Sequence, residues 1–299
     1  MNRSKLSLND KRIFRDFLGL SSHRLSAYSF ANIFIWRKLF DLSWVLINDN
    51  LCLFFADKTG IFMYLPPLGK DVSPGTVDKA FGIMDKLNRN KAVSRIENIE
   101  EEGIKFYRGL GLRCYEKPGE YLYLRRALEE LKGDHFKSKR SGANQFVKQY
   151  SFDYVPYSPE RREECLALYA EWMRGRKQSC RDRVYQGMLE DNLTCLEELL
   201  SGYAKLDTCG RLILIDGKVK GLTFGFESNS ETFCILFEVT DLGIKGLSQY
   251  IFRRFCAEMN GYKYINIMDD CGLEGLRRVK LSYRPKEVIA SYIAAGKNE

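Results

Sequence analysis

The sequence predicts an α+β protein in which one unit, a mixed, mostly antiparallel sheet flanked by helices, occurs twice in tandem. Three observations carry this expectation. Asp216-Gly217 separates two apolar, β-branched runs within residues 211–239, the signal for a two-residue hairpin. Directly afterwards Leu247, Tyr250, Ile251 and Phe255 recur at helical spacing, with Gly261 placed to stop that helix. The resulting order of three strands, helix, strand, helix also describes the first half of the chain. A length of 299 residues agrees with two cores, since single domains usually hold roughly 100–200 residues. The expected domains are residues 1–150 and 151–299.

In chain order, Asn9 or Asp10 caps a first helix that carries Ile13, Phe14, Phe17 and Leu18 on one side before Gly19. The aromatic stretch LSAYSFANIFIWRKLF is helical, with Phe30, Phe34 and the residues from Trp36 to Phe40 turned inward. Residues 43–69 read as three strands split at Asn48-Asp49-Asn50 and at residues 57–60, and closed by Pro66-Pro67. A helix with Val77, Phe81 and Met84 follows, then strand VSRIENI, helix EEGIKFYRGL and strand EYLYLR. RALEELKGDHFKSKRSGANQFVKQY joins the halves as one basic helix. Tyr154-Val155-Pro156 opens the second half as a strand, and Ser158-Pro159 starts a helix. Leu166, Tyr169, Ala170 and Met173 face its core, and another helix runs over residues 183–200. Three strands with alternating faces follow, the second turn being Ser228-Asn229-Ser230. After the helix come strand 262–267 and a last helix bearing Leu273, Leu276 and Leu281, ended by Pro285.

This order, with a glycine-bearing loop between third strand and helix, is that of the acetyltransferase-like fold. Gly243, Gly246 and Ser248 either turn backbone N–H groups toward an anion or only let the chain turn tightly. The net charge of +8 permits a polyanionic partner. Its distribution is uneven: residues 132–148 hold five basic side chains against Asp134, and residues 174–183 hold Arg174, Arg176, Lys177, Arg181 and Arg183 against Asp182. Nine scattered cysteines with no Cys-x-x-Cys pair, and two distant histidines, point to reduced thiols and no metal site. No apolar run approaches the roughly 18 residues of a bilayer span, so the expected location is cytoplasmic.

Three segments together resemble a known family. The first holds Leu131, Gly133, Lys139, Arg140, Asn144 and Phe146. The second holds Glu238, Lys245 and Gly246. The third holds Asn266, Asp269-Asp270, Gly272, Leu276-Arg277, Lys280 and Ser282-Tyr283-Arg284-Pro285. Across residues 30–292 the chain resembles the C-terminal catalytic domain of phosphatidylglycerol lysyltransferases in a soluble, stand-alone form. The resemblance implies tandem acetyltransferase-like domains and transfer of an aminoacyl group from a charged tRNA. Nothing here matches the membrane-embedded module of lipid-modifying relatives, which turns the expectation away from a lipid acceptor and leaves the acceptor open. The loop also departs from the acetyltransferase pattern Q/R-x-x-G-x-G/A, having Gly243 and Ser248 at its ends, which weakens coenzyme A binding.

Aminoacyl transfer requires no metal or redox cofactor; it requires a placed acceptor, a base, and donors where an oxyanion develops. Glu238, at the end of an apolar strand, is a candidate base or the partner of Lys245 or Arg277 in an ion pair. Asp269 and Asp270 are catalytic candidates or helix caps. Lys245, Gly246, Asn266, Arg277, Lys280, Ser282 and Tyr283 are the substrate-binding candidates, and Lys137, Lys139, Arg140 and Asn144 the tRNA-binding ones. Three functions stand open: an aminoacyl-tRNA-dependent transferase, a transferase using acyl-coenzyme A, and a non-catalytic pair of domains binding tRNA or another polyanion.

Overall fold

The computed structural model describes residues 3–296; the first two residues of the N-terminal stretch and the last three of the chain lie outside it. The chain forms two compact units. The first comprises the described residues up to Glu120 together with those from Ile289 on, and the second runs from Tyr121 to Val288. These limits differ from residues 1–150 and 151–299.

The first unit opens with β1 (Ser4–Lys5), α1 (Lys11–Leu18) and α2 (Phe30–Phe34). Asp10 is the cap residue of α1, but its side chain makes no bond to that helix; it closes the short 3-10 turn before it, where Ser7 Oγ accepts from Asn9 N and Asp10 takes the Ser7 N–H. The aromatic stretch makes only the short helix α2, all five residues of which are buried. β2 (Asp41–Ile47), β3 (Asn50–Asp57) and β4 (Gly60–Met63) form the expected antiparallel meander. Its first turn places Asn48 and Asp49 at φ 48° and 60°, both positive as a tight hairpin demands. α3 (Pro74–Leu87) crosses over to β5 (Arg95–Ile99), which lies parallel to β4, and α4 (Ile104–Gly109) follows. The sixth strand of this sheet is the last of the chain, whose residues from Tyr292 to Ala295 pair antiparallel with β5.

The second unit repeats this plan. β6 (Arg113–Leu124) enters it at Tyr121, and α5 (Arg125–Glu130) and α6 (Lys137–Gln149) come next. The single basic helix expected here is broken, because Leu131 and Gly133 take φ 49° and 93°. β7 (Asp153–Pro156), α7 (Arg162–Ser179) and α8 (Arg183–Gly202) lead to the meander β8 (Thr208–Ile215), β9 (Lys218–Asn229) and β10 (Thr232–Thr240). α9 (Leu247–Glu258) crosses to β11 (Tyr264–Asn266), parallel to β10 and antiparallel to β6. α10 (Glu274–Leu281) and β12 (Glu287–Ala295) end the chain.

Each unit therefore holds six strands in the same plan, but the sixth of each comes from the opposite half of the sequence. That exchange is why a linear cut fails. Tyr121, Tyr123, Leu128, Leu131 and Phe136 share one core with Phe233, Phe255 and Ile265, and Phe146 shares another with Leu247 and Ile251. The expected alternation of faces also fails in the centre of the meander, where residues 221–226 of β9 are buried without interruption. Helices α7 and α9 both pack on β9 and β10, so apolar side chains are favoured on both faces.

Candidate active site

The site follows from an unequal pairing of strands. β11 runs beside β10 only over Thr232, Phe233 and Cys234 and ends at Asn266, whereas β10 continues to Thr240. Beyond β11 the chain follows β6 instead, with Ile267 N donating to Tyr121 O and Tyr121 N to Met268 O, each at 3.1 Å. The β11 side of β10 is thus left without a ladder partner from Ile235 on. Next to this opening, between Ile235 and Phe237, β10 carries a register shift, the kind of irregularity that re-aims the side chains after it.

Glu238 follows the shift. Its residue as a whole is half-buried, but Oε2 is sealed from solvent and has no hydrogen-bond partner. Burial pushes the carboxyl up to about 8. Lys245 stands exposed in the loop beyond and Arg277 exposed on α10, so the ion pair considered for either is not formed at Oε2. Opposite Glu238 on β9 is Thr223, fully buried, with an Oγ1 that also lacks a partner. Directly opposed side chains share a face, so two unsatisfied polar atoms sit side by side. Thr223 was not among the expected site residues; a correct hairpin register was the signal that could have found it.

Tyr283 is near enough to feel the Glu238 charge. It is buried, its ring stands 4.8 Å from Phe252, and burial followed by the Glu238 charge raises its hydroxyl, which stays protonated. Lys139 Nζ lies 4.5 Å over the Tyr283 ring, and loss of water lowers its ammonium from the usual lysine range. The break between α5 and α6 aims it there. Arg140 secures that break, its Nη1 donating to the Leu131 and Gly133 carbonyls. Among the expected residues, the structure therefore groups Glu238, Tyr283 and Lys139.

A second group serves the loop after β11. Asn266 Oδ1 accepts from Met268 N at 2.7 Å, and Met268 turns with φ 60°. Lys280, the only buried residue of α10, donates from Nζ to the carbonyls of Ile267 at 2.5 Å, Met268 at 3.1 Å and Asp269. Asp270 accepts from the Tyr121 hydroxyl at 2.6 Å and from Gly272 N at 3.0 Å, and Asp269 from Cys271 N at 2.7 Å. Neither aspartate caps α10; its cap is Leu273, without a side-chain bond. Ser282 Oγ returns to Val279 O at 2.6 Å. These side chains hold the loop along β6 and so keep the sheet open beside Glu238. The expected apolar stripe of α10 does not face the core either, as Leu276 and Leu281 are exposed.

The glycine loop is closely packed. Gly243 N donates to Asp241 Oδ1 at 2.9 Å, and Asp241 Oδ2 holds Lys220 at 2.8 Å. Gly246 caps α9 at φ 82°, where a Cβ would meet Gly142 O of α6 at 2.0 Å. The glycine is needed so that two helices can touch. On α6, Lys137 and Asn144 are exposed.

Among the described residues no group of three or more His, Cys, Asp or Glu could hold a metal ion. No described helix is long and apolar enough to cross a membrane. The site itself holds a sealed carboxyl with a raised pKa, a buried hydroxyl, and two donors beside an open sheet edge. Such a set can take a proton from a nucleophile and stabilise an oxyanion.

Two six-strand units of this plan define the chain as a tandem acetyltransferase-like protein. A tandem GNAT protein from the clavulanic acid biosynthesis pathway shares the fold at 12% identity, covering 100% of this chain and 99% of that one, with a TM-score of 0.55. The family model described as phosphatidylglycerol lysyltransferase, C-terminal, matches residues 19–295, and the chain belongs to that family. A conserved protein of unknown function from Bacteroides thetaiotaomicron VPI-5482 is 28% identical over 99% of this chain and 100% of that one, with a TM-score of 0.87. L-PGS from Bacillus licheniformis is 15% identical over 100% and 94%, with a TM-score of 0.71. Among curated proteins none matches the sequence.

Proposed function

We propose that the second unit transfers an aminoacyl group from a charged tRNA to an acceptor, with Glu238 as general base. The observation that carries this reading is the sealed, unpartnered Glu238 carboxyl, held near pH 8 beside an opening in the sheet. Family membership supports the choice of acyl donor.

In this reading the acceptor's amine or hydroxyl gives its proton to Glu238 and attacks the ester carbonyl of the donor. The Tyr283 hydroxyl and the Lys139 ammonium supply donors to the oxyanion. On collapse the bond to the ribose oxygen breaks, that oxygen takes the proton back from Glu238, and a new amide or ester is released. Thr223 orients the acceptor from the adjacent strand. Asp269, Asp270, Asn266 and Lys280 act by shaping the opening.

The test is incubation of the full chain with cell extract and labelled aminoacyl-tRNAs, followed by mass spectrometry for a newly labelled small molecule, lipid or peptide. A labelled product that disappears with Glu238→Gln supports the reading. No product from any donor, together with a thermal shift on adding acetyl-coenzyme A, overturns it in favour of a coenzyme A-dependent acyltransferase.

A further inference from the structure

The arginine cluster at residues 174–183 is used by nothing in the candidate active site. α7 ends at Ser179 and α8 begins at Arg183, so the cluster forms the tip where these helices join. Arg174, Arg176, Arg181 and Arg183 are all exposed there, and among the described residues none of the four has an ion-pair partner. The neighbouring acids are engaged. Asp182 caps α8 by accepting from Tyr185 N at 2.8 Å, and Glu190 pairs with Lys177 at 2.5 Å.

Placement adds what exposure alone lacks. A Cβ on Gly175 would stand 2.9 Å from Leu242 Cδ1, so the last turns of α7 lie against the loop at residues 241–246, which directly follows the Glu238 strand. The exposed Lys245 continues the positive run along that loop. Half-buried Trp172 carries the Arg176 guanidinium 5.3 Å over its ring, which keeps that charge at the tip. By contrast, two of the four basic-helix residues expected to meet tRNA are occupied: Arg140 in its own backbone and Lys139 on Tyr283.

We infer that the α7–α8 tip is the surface that grips the phosphate backbone of the RNA donor, so that its acyl-bearing end passes over the 241–246 loop to Glu238. This rests on the aminoacyl-tRNA reading of the active site. Guanidinium groups match phosphate oxygens two at a time, and their contacts need no base sequence. A membrane surface fits less well, because only Val184 and Leu242 are exposed apolar side chains at this place and little apolar area would enter the lipid.

The experiment is filter retention of unfractionated deacylated tRNA on the full chain between about 50 and about 200 mM salt. It compares wild type, the triple variant Arg174→Ala/Arg181→Ala/Arg183→Ala, and an α6 control, Lys137→Ala/Lys148→Ala. Thermal melts confirm that both variants fold. The expected result is roughly tenfold or greater weakening in the triple variant, with a log–log salt slope shallower by about 2, and a much smaller change in the control. Equal retention by wild type and triple variant overturns the surface while leaving the donor reading intact. No retention by wild type at low salt overturns both. Loss of sedimentation with phosphatidylglycerol vesicles in the triple variant, with tRNA retention unchanged, overturns it in favour of a membrane.

Discussion

Each unit holds a carboxylate largely withdrawn from water, and the two are treated in opposite ways. In the first unit Glu100 accepts from Arg24 N at 2.5 Å, Leu25 N at 3.1 Å and His23 Nδ1 at 3.0 Å. Burial raises its pKa, but those hydrogen bonds outweigh it, and the carboxyl ends below its ordinary value. In the second unit Glu238 has burial with nothing to offset it, and rises to about 8. The first acid pins the segment that precedes α2, while the second is kept sealed and unpaired. A group left so is costly to the fold, and the expected return is reactivity toward a substrate.

The largest expected effect separates these roles. Glu238→Gln lowers turnover by roughly 10²–10⁴-fold, the range of a lost general base, while Glu100→Gln leaves turnover per folded molecule unchanged. The wild-type rate should climb with pH through about 8, because the base works only when ionised. Stability should move the other way. A carboxyl whose folded pKa is raised binds its proton more tightly when folded, so wild type loses stability from the ordinary glutamate value up to about 8 and changes little above. Denaturant melts across that window should show the loss in wild type and not in Glu238→Gln. A flat rate profile, or a variant no more stable than wild type at alkaline pH, would break the contrast.

Next in size is Gly246→Ala, which forces an alanine to φ 82° with its Cβ on the Gly142 carbonyl. We expect a loss of about 3 kcal/mol or more, measured by chemical denaturation. Glu100→Gln should then cost about 1–3 kcal/mol at neutral pH, since one side of its bonding set becomes an N–H that cannot accept. The sign is that of a depressed acid. The stabilisation is fully present above the unfolded-state value and is lost as pH falls through the lower folded value, so wild type and variant should converge in acid.

Much of this plan was legible in the chain, and the failures have local causes. Asp216-Gly217 announced its hairpin because few residues tolerate two successive positive φ angles, and that turn formed as expected; the turn expected at Asn48-Asp49-Asn50 is one residue shorter, Asn50 already pairing with Ile47. The turn after β9 was placed at Ser228-Asn229-Ser230, but Asn229 pairs with Thr232, so the turn is Ser230-Glu231. That slip changes which β9 residue stands opposite Glu238, and it hid Thr223. The exchanged sixth strands were invisible for another reason: residues 121–124 look like an ordinary strand whose partner only long-range pairing assigns, and the strand Glu287–Ala295 was missed, no element having been expected after Pro285. Lys280 misled because a basic residue on a short helix reads as ligand-facing, whereas here three carbonyls draw it inward.

The smallest expected effect tests the corresponding crossover helices. α3 starts from Ser73, whose Oγ accepts from Thr76 N at 3.3 Å, with Pro74 in its first turn. α9 starts from Gly246 with no side-chain cap. Ser73→Ala should therefore cost about 1 kcal/mol, because an N–H of the first helical turn loses its acceptor, and Ser73→Asp should restore most of it. The corresponding change in the second unit cannot be made without the clash at Gly142, so the two helices are held by different means: one by its own cap, the other by the neighbour lying across it. Equal losses for Ser73→Ala and Ser73→Asp in thermal melts would mean that packing rather than the cap holds α3 as well, and the contrast between the two helices would disappear.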